Sequence, residues 1–297
     1  MNITFKQLKL FQAFADAKSV SVAAKQMFVT QPTASMQLKE ITQSVGIPLY
    51  EVISKKIYLT DAGKELAHTA RDILNTWSTF EQQMDAAKGI SRGKLKIAVV
   101  STAKYFMPRL IGQFCKKYPD IDVSLEILNR NGVVARMMDN LDDIYIMSQP
   151  PKGMALDDHI FMDNHLVAIA ALGSAIAKRS AISLNAFKDH RFILREQGSG
   201  TRMTVDNFFK KMKFQPDVRM ELGSNEAIKE AVAGGLGIGV LSKYALHGRQ
   251  KEHGVAIVDV KGFPITSHWH VVSPLNKKLS PVASAFKHEM LRSTTKH

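Results

Sequence analysis

Cysteine is almost absent from this chain: Cys115 is the only one in 297 residues. No internal disulfide can form, which excludes a small secreted scaffold held together by disulfides. Long hydrophobic runs are missing as well. No segment reaches the roughly 20 apolar residues with which a helix spans a bilayer, so no membrane partner is expected. Glycine and proline number 18 and 10, and apolar and charged residues make up 45% and 23% of the chain. Such values lie near the globular average and exclude collagen-like, fibrous and disordered classes. No basic-then-apolar leader occupies Met1–Leu10, where Lys6 and Lys9 break the pattern. Together with the lone cysteine, this leads us to expect a reducing, bacterial-type cytoplasm. Motifs of enzymatic chemistry are also lacking, with no G-x-S-x-G, Walker loop or H-E-x-x-H. His268 and His270 alternate along an expected strand without cysteine or paired carboxylates beside them. Metal, cofactor and catalytic residues are therefore not expected.

Length and positive charge are what the chain does have. Its 297 residues suggest two or three domains, each able to bury a core. The 40 basic and 27 acidic residues leave a net charge of +13, which favours polyanionic partners such as nucleic acid or anionic metabolites. Residues 1–90 hold 10 basic and 8 acidic residues, leaving 30 and 19, a net +11, for residues 91–297. The larger part of the chain thus has its own anion to meet, apart from any nucleic acid bound near the N-terminus.

Residues 1–60 read as three short helices and a hairpin. Phe5, Leu8, Phe11 and Phe14 line one face of a first helix. Ser19 caps a second, whose apolar side is Val22, Ala23 and Met27. Thr30 caps a third, with Pro32 in its first turn and Ala34, Leu38 and Ile41 at helical spacing. Val52–Ile53 and Ile57–Leu59, separated by Ser54-Lys55-Lys56, form an expected wing with a basic tip. Segment Ser19–Gln43 is thus a helix-turn-helix, and its third helix presents Gln31, Pro32, Thr33, Ser35, Met36 and Lys39 on early turns, where a recognition helix meets the major groove. Lys39, Lys55 and Lys56 suit backbone phosphates. An ordinary helical hairpin with a solvated face is the plainer alternative.

Residues 61–90 read as one long helix. Leu66, Ala70, Ile73, Trp77, Phe80, Met84 and Ala87 recur alternately four and three apart, ending at Gly89. A period of 3.5 residues marks a coiled-coil seam; a surface helix packed on its own domain is the alternative. After a linker at Ser91-Arg92-Gly93, strand and helix alternate to the C-terminus. This pattern builds parallel sheets with helices on both faces and, repeated, a two-lobed α/β domain. We assign lobe I to about 91–162 and 268–297 and lobe II to about 163–267.

Ser101, Thr102, Asn129 and Arg130 follow expected strands, at the carboxyl ends where open α/β sheets bind ligands. Gln149 lies past the strand Ile144–Met147. Gly198, Ser199, Thr201 and Arg202 lie between a strand and a helix, where backbone N–H groups, a hydroxyl and a guanidinium can converge on an anion. The same segment reads equally well as a glycine-rich turn capped by Ser199 or Thr201.

A resemblance sharpens these readings. Phe5-x-x-Leu8-x-x-Phe11, Ser21-x-Ala23-Ala24, the run Val29 to Lys39, Gly46-x-Pro48-Leu49 and Leu59-Thr60-x-Ala62-Gly63 resemble the LysR-type transcriptional regulators. Tyr118-Pro119 and Ala233 to Ile238 extend the likeness across the chain. Within that family, Ser101 to Leu110, Asn129-Arg130, Pro150-Pro151 and Arg195 to Arg202 resemble the regulators of Calvin-cycle operons. The resemblance implies an all-α winged helix-turn-helix with a dimerising linker helix, followed by an α/β effector domain of the periplasmic-binding-protein type. It implies double-stranded DNA, a small anionic, phosphorylated metabolite, further copies of the chain as homodimer and homotetramer, and RNA polymerase as partners. The rival reading is a small-molecule-binding protein or enzyme on the two-lobed fold, with the N-terminal segment serving as an oligomerisation unit.

Overall fold

The computed structural model describes residues 1–87 and 92–293; Gly89 and Ser91, expected to end the long helix and open the linker, lie outside the described residues. The chain divides into two compact units, Met1–Met84 with Asp139–Leu141, and the remainder from Asp85 onward.

In the first unit, α1 (Phe5–Ala17), α2 (Val20–Gln26) and α3 (Gln31–Val45) start where capping side chains stand. Thr4 and Gln7 form a reciprocal capping box, and the Ser19 and Thr30 hydroxyls accept from the amides of Val22 and Thr33 at 3.4 and 3.3 Å. Leu10, Phe11 and Phe14 of α1 pack with Ala23 and Ala24 of α2 and with Ala34, Leu38 and Ile41 of α3. The alanines let α2 and α3 come close. Strands β1 (Tyr50–Ile53) and β2 (Lys56–Leu59) pair antiparallel as the wing. Its tip is only Ser54-Lys55, both at positive φ, so Lys56 opens β2 and does not belong to the tip as expected.

Helix α4 (Asp61–Ala87) follows. A side chain at Gly63 would lie 1.8 Å from the Leu49 carbonyl oxygen, so only glycine lets α4 start against the entry to the wing. The helix is divided in its burial. Ala67 and Ala70 are buried, whereas Ile73, Trp77, Phe80 and Met84 are 41–47% exposed. Ala70, expected in the seam, therefore does not belong to the exposed apolar row.

The second unit contains β3 (Gly93–Val100), α5 (Met107–Lys117), β4 (Ile121–Leu128), α6 (Arg130–Met138), β5 (Ile144–Met147), β6 (Leu156–Ala171), β7 (Arg191–Arg195), α7 (Gly200–Lys211), β8 (Asp217–Leu222), α8 (Asn225–Ala233), β9 (Ile238–Ser242), β10 (Val255–Ile257), β11 (Ile265–Pro274) and α9 (Pro281–Ser293). Helix α5 starts at Met107, because Ser101–Tyr105 turn as a 3-10 segment ahead of Pro108. Strand–helix alternation produces parallel pairing within each lobe: β3 with β4 and β5, and β7 with β8 and β9. The sheets are not separate, however. One mixed sheet runs β4-β3-β5-β11-β6-β9-β7-β8, with β10 on β6. Its middle is the long antiparallel pair β6 and β11, which crosses from lobe to lobe with a register break at Trp269/His270. Lobe I is built on a core from Leu95 to Phe161 and Trp269 to Met290, lobe II on Leu166 to Ile265.

Candidate functional site

The exposed face of α3 is opposite Ala34, Leu38 and Ile41, which the core claims. Gln31, Pro32, Ser35, Met36 and Lys39 stand on that exposed side, and Thr33 is half-buried. Two of the six carry local bonds: the Gln31 Oε1 accepts from the Ser21 hydroxyl at 2.9 Å, and the hydroxyls of Thr33 and Thr30 are 2.8 Å apart. The first bond anchors α3 to α2 and fixes where Gln31 can reach. Lys55 and Lys56 are exposed at the end of the wing. This surface combines a polar helix face with a basic hairpin, as required of a duplex-binding element that reads one groove and clamps the adjacent backbone.

At the carboxyl ends of the parallel strands in the second unit, Ser101, Thr102, Asn129 and Arg130 of lobe I meet Ser199 and Thr201 of lobe II around one small cavity of about 10 Å³. Asn129 Oδ1 accepts from the Gly132 amide at 3.0 Å and fixes the start of α6. The Ser199 hydroxyl caps α7, so the turn is both capped and turned toward the cavity. Gly198 has φ +84, and a Cβ there would lie 2.4 Å from Asn131 Nδ2; the turn closes this tightly only with glycine. Gln149 lies outside the lining: its amide donates to Thr204 Oγ1 at 3.0 Å and its carbonyl accepts from Arg130 Nε at 2.5 Å.

Arg202 requires a correction. Its guanidinium, expected to grasp an anion, is 9% exposed and turned into lobe II. There Nε binds Asp206 at 2.9 Å, and Nη1 binds Glu221 at 2.7 Å and the Arg195 carbonyl at 2.9 Å. Two carboxylates and a carbonyl occupy its Nε and Nη1 donors, so the residue holds α7 to β8. Arg130 is the opposite case. It is half-buried, no carboxylate lies within ion-pair reach among the described residues, and burial pushes its pKa down.

Sequence reasoning missed Arg195, Ser148 and Trp269, which also line the cavity. Arg195 is 2% exposed; it pairs with Glu196 at 2.8 Å and crosses to the other lobe, where Nη2 donates to Ser101 Oγ at 3.0 Å. Its place at the carboxyl end of β7 was the available signal, by the same rule that singled out Ser101 and Asn129. Trp269 is fully buried and its indole N–H has no hydrogen-bond partner among the described residues.

Further bonds join the lobes beside the cavity. Asn225 Nδ2 donates to Thr102 Oγ1 at 3.3 Å, while Tyr105 and Lys104 bind the Glu226 carboxylate at 2.6 and 2.9 Å. Burial alone raises the Glu226 pKa, but the hydrogen bonds from Tyr105 and Lys104 outweigh it and hold the group at about 2. His268 and His270 are engaged with Asp163 and Asp158 at 3.1 and 2.7 Å. No helix among the described residues is long and apolar enough to cross a membrane.

Comparison with known proteins agrees with both halves of this description. The family profile "Bacterial regulatory helix-turn-helix protein, lysR family" matches residues 5–64, and "LysR substrate binding domain" matches residues 88–295. The first match assigns the N-terminal segment to a DNA-binding family, against the rival reading of a mere oligomerisation unit. The HTH-type transcriptional activator CmpR of Synechocystis sp. is 41% identical over 96% of this chain and 94% of its own length. The RuBisCO operon transcriptional regulator of Acidithiobacillus ferrooxidans is 42% identical over 95% and 92%. The solved regulatory domain of Synechocystis CcmR in complex with 2-PG is 44% identical with a TM-score of 0.66, covering 69% of this chain and 99% of that one. This chain belongs to the LysR family of transcriptional regulators, in the branch whose relatives include the RuBisCO operon regulators.

Proposed function

We propose that this protein is an effector-responsive regulator of carbon-fixation genes, which binds DNA through α3 and the wing and senses a small phosphorylated anion in the strand-end cavity. Arg130 carries the reading. A half-buried guanidinium with no carboxylate partner is costly unless an anion compensates it. Around it stand Ser101, Thr102, Ser199 and Thr201 as donors, the capped N-terminus of α7, and the unsatisfied Trp269 N–H. The relative solved with 2-PG supports 2-phosphoglycolate as the first effector to test. The activator CmpR and the RuBisCO operon regulator support carbon fixation as the target.

A cavity of about 10 Å³ holds no more than about one water. A phosphate ester therefore enters only by displacing bonds such as Arg130 to the Gln149 carbonyl and Arg195 to Ser101. Because the second of these joins lobe II to lobe I, the anion favours one arrangement of the lobes over another, and that differential affinity is what couples effector to DNA. The chain supplies recognition and no catalysis, in the cytoplasm. Its exposed row Ile73, Trp77, Phe80 and Met84 pairs α4 with that of a second copy, and pairs of dimers assemble as a tetramer on DNA within reach of RNA polymerase.

Footprinting on a RuBisCO-operon promoter tests this reading. We expect protected major-groove faces in helical phase, about 10 base pairs apart or a multiple of that, and a changed pattern when phosphoglycolate is added. Absence of protection, or a footprint indifferent to phosphoglycolate and to every sugar phosphate, overturns it.

A further inference from the structure

A second cavity, of about 780 Å³, opens between α5 and the turn that follows β9, along the crossing strand β6. It shares no lining residue with the strand-end cavity and has the volume of a drug-sized ligand site, roughly 300–1,000 Å³. Phe161, Met162 and Tyr244 give it an apolar interior, with Leu110 and Ile160 at the sides. Ile160 is 55% exposed, an apolar group left open to solvent at the rim of a concave apolar surface. A two-carbon phosphate has nothing to cover these groups with.

The polar lining has a sign. Lys243 is exposed and has no ion pair among the described residues. His247 stands beside it, and Lys229, Arg109 and Arg249 all act on that imidazole; burial, followed by these cations, lowers its pKa. One carboxylate, Asp163, belongs to the lining and is bonded to His268 at 3.1 Å; Glu226, outside the lining, is bonded to Lys104 and Tyr105. His165, also in the lining, keeps a buried Nδ1 with no hydrogen-bond partner among the described residues. Apolar interior, cationic corner and an unsatisfied ring nitrogen together define one kind of ligand.

We propose that this cavity is a second ligand site, for an amphipathic anion whose planar or branched apolar body covers Phe161, Met162 and Tyr244 while its carboxylate, sulfonate or phosphate meets Lys243 and His247. The site stands independently of what the strand-end cavity binds. The two are separated by a layer of aromatic rings: Tyr244 and Phe106 lie 6.5 and 5.1 Å from Trp269, centroid to centroid, and Trp269 closes the small cavity. A ligand on Tyr244 is thus one ring away from the effector site without touching it.

Anilinonaphthalene sulfonate, a planar apolar anion that fluoresces when its rings leave water, is the probe. Titrated into the full-length protein, it should bind once per chain. Lys243→Glu should weaken it at least about tenfold, the scale of one charge-assisted contact; Leu110→Glu should abolish it, and Lys243→Arg should retain it. Lys243 is exposed, so its replacement leaves the fold intact, which circular dichroism verifies. Because the α4 row is also apolar and exposed, Ile73→Glu is tested in parallel and should retain the Lys243-dependent binding, whatever it adds by separating the α4 helices. Equal binding by wild type and Lys243→Glu overturns the proposal. So does loss of binding in Ile73→Glu, which assigns the probe to α4. Displacement by phosphoglycolate would assign it to the effector cavity. Loss of the signal as protein concentration rises would assign the cavity to a contact between copies.

Discussion

Arg130 of lobe I and Arg202 of lobe II occupy matching places, each in the opening turn of the helix that follows a parallel strand, α6 after β4 and α7 after β7. Lobe II surrounds its arginine with Asp206, Glu221 and a carbonyl oxygen, so the charge holds the lobe together. Lobe I leaves its arginine half-buried with a single carbonyl, that of Gln149, to bond, and this is the charge that we propose meets the anion. Residue type and position are the same; the neighbours decide the task. The same division runs along α4, where Ala67 and Ala70 are covered while Ile73, Trp77, Phe80 and Met84 are not. Covered groups stabilise the fold, and the uncovered ones are where we propose that something else binds.

The largest effect should come from the uncovered row of α4. Ile73→Glu puts a carboxylate into the apolar interface and should raise the dimer dissociation constant by about a hundredfold or more, read by sedimentation velocity. A variant that remains dimeric at wild-type concentrations would show that exposure alone does not mark an interface. Next is Arg202→Met, which strips Asp206 and Glu221 of their cation. We expect the effector domain to lose about 2–3 kcal/mol of unfolding free energy. The loss stays at the low end for a broken pair because the two carboxylates are 43% and 41% exposed. Arg130→Met should leave chemical denaturation nearly unchanged, and equal losses in the two variants would erase the contrast.

Glu226 gives a smaller effect that depends on pH. Its pKa is lowered from 4.5 to about 2 in the folded chain. The bonds to Tyr105 and Lys104 therefore contribute fully above about pH 4.5 and are lost as the pH falls toward 2. Stability curves of wild type and Glu226→Gln should converge across that window; curves that stay parallel would place the interlobe bond elsewhere. The smallest effect belongs to Lys55, a cation with no partner at the wing tip. Lys55→Ala should reduce the salt dependence of DNA binding by about one unit of slope on all sequences, whereas Ser35→Ala should cost about 1–3 kcal/mol at particular base pairs only.

Much of the fold is legible in the sequence. The helix-turn-helix follows from Ser19 and Thr30, whose capping roles depend on nearest neighbours in sequence, and so does the wing. The first half of β6 is not legible as a strand because it carries Asp157, Asp158, His159 and Asp163, and a polar stretch gives no strand signal. Those residues are spent on partners far along the chain, such as His270, His268 and Lys287. The fate of Arg202 was half legible. Asp206 lies four residues on, in helical ion-pair range, but Glu221 reaches Arg202 only once β8 has paired with β7. Arg195 was half legible too: its place at the carboxyl end of β7 is a sequence signal, but its reach across to Ser101, 94 residues away in sequence, is not.

Isothermal calorimetry with phosphoglycolate on three proteins tests the contrast of the two arginines most directly. Wild type and Arg202→Lys, which keeps a cation for Asp206 and Glu221, should bind it with affinities within about threefold of each other. Arg130→Gln should lose about ten- to a hundredfold, the value of one charge-assisted pair in a desolvated site. If Arg130→Gln binds as wild type does while Arg202→Lys fails, the lobes have been assigned the wrong way round and the effector site described here is contradicted.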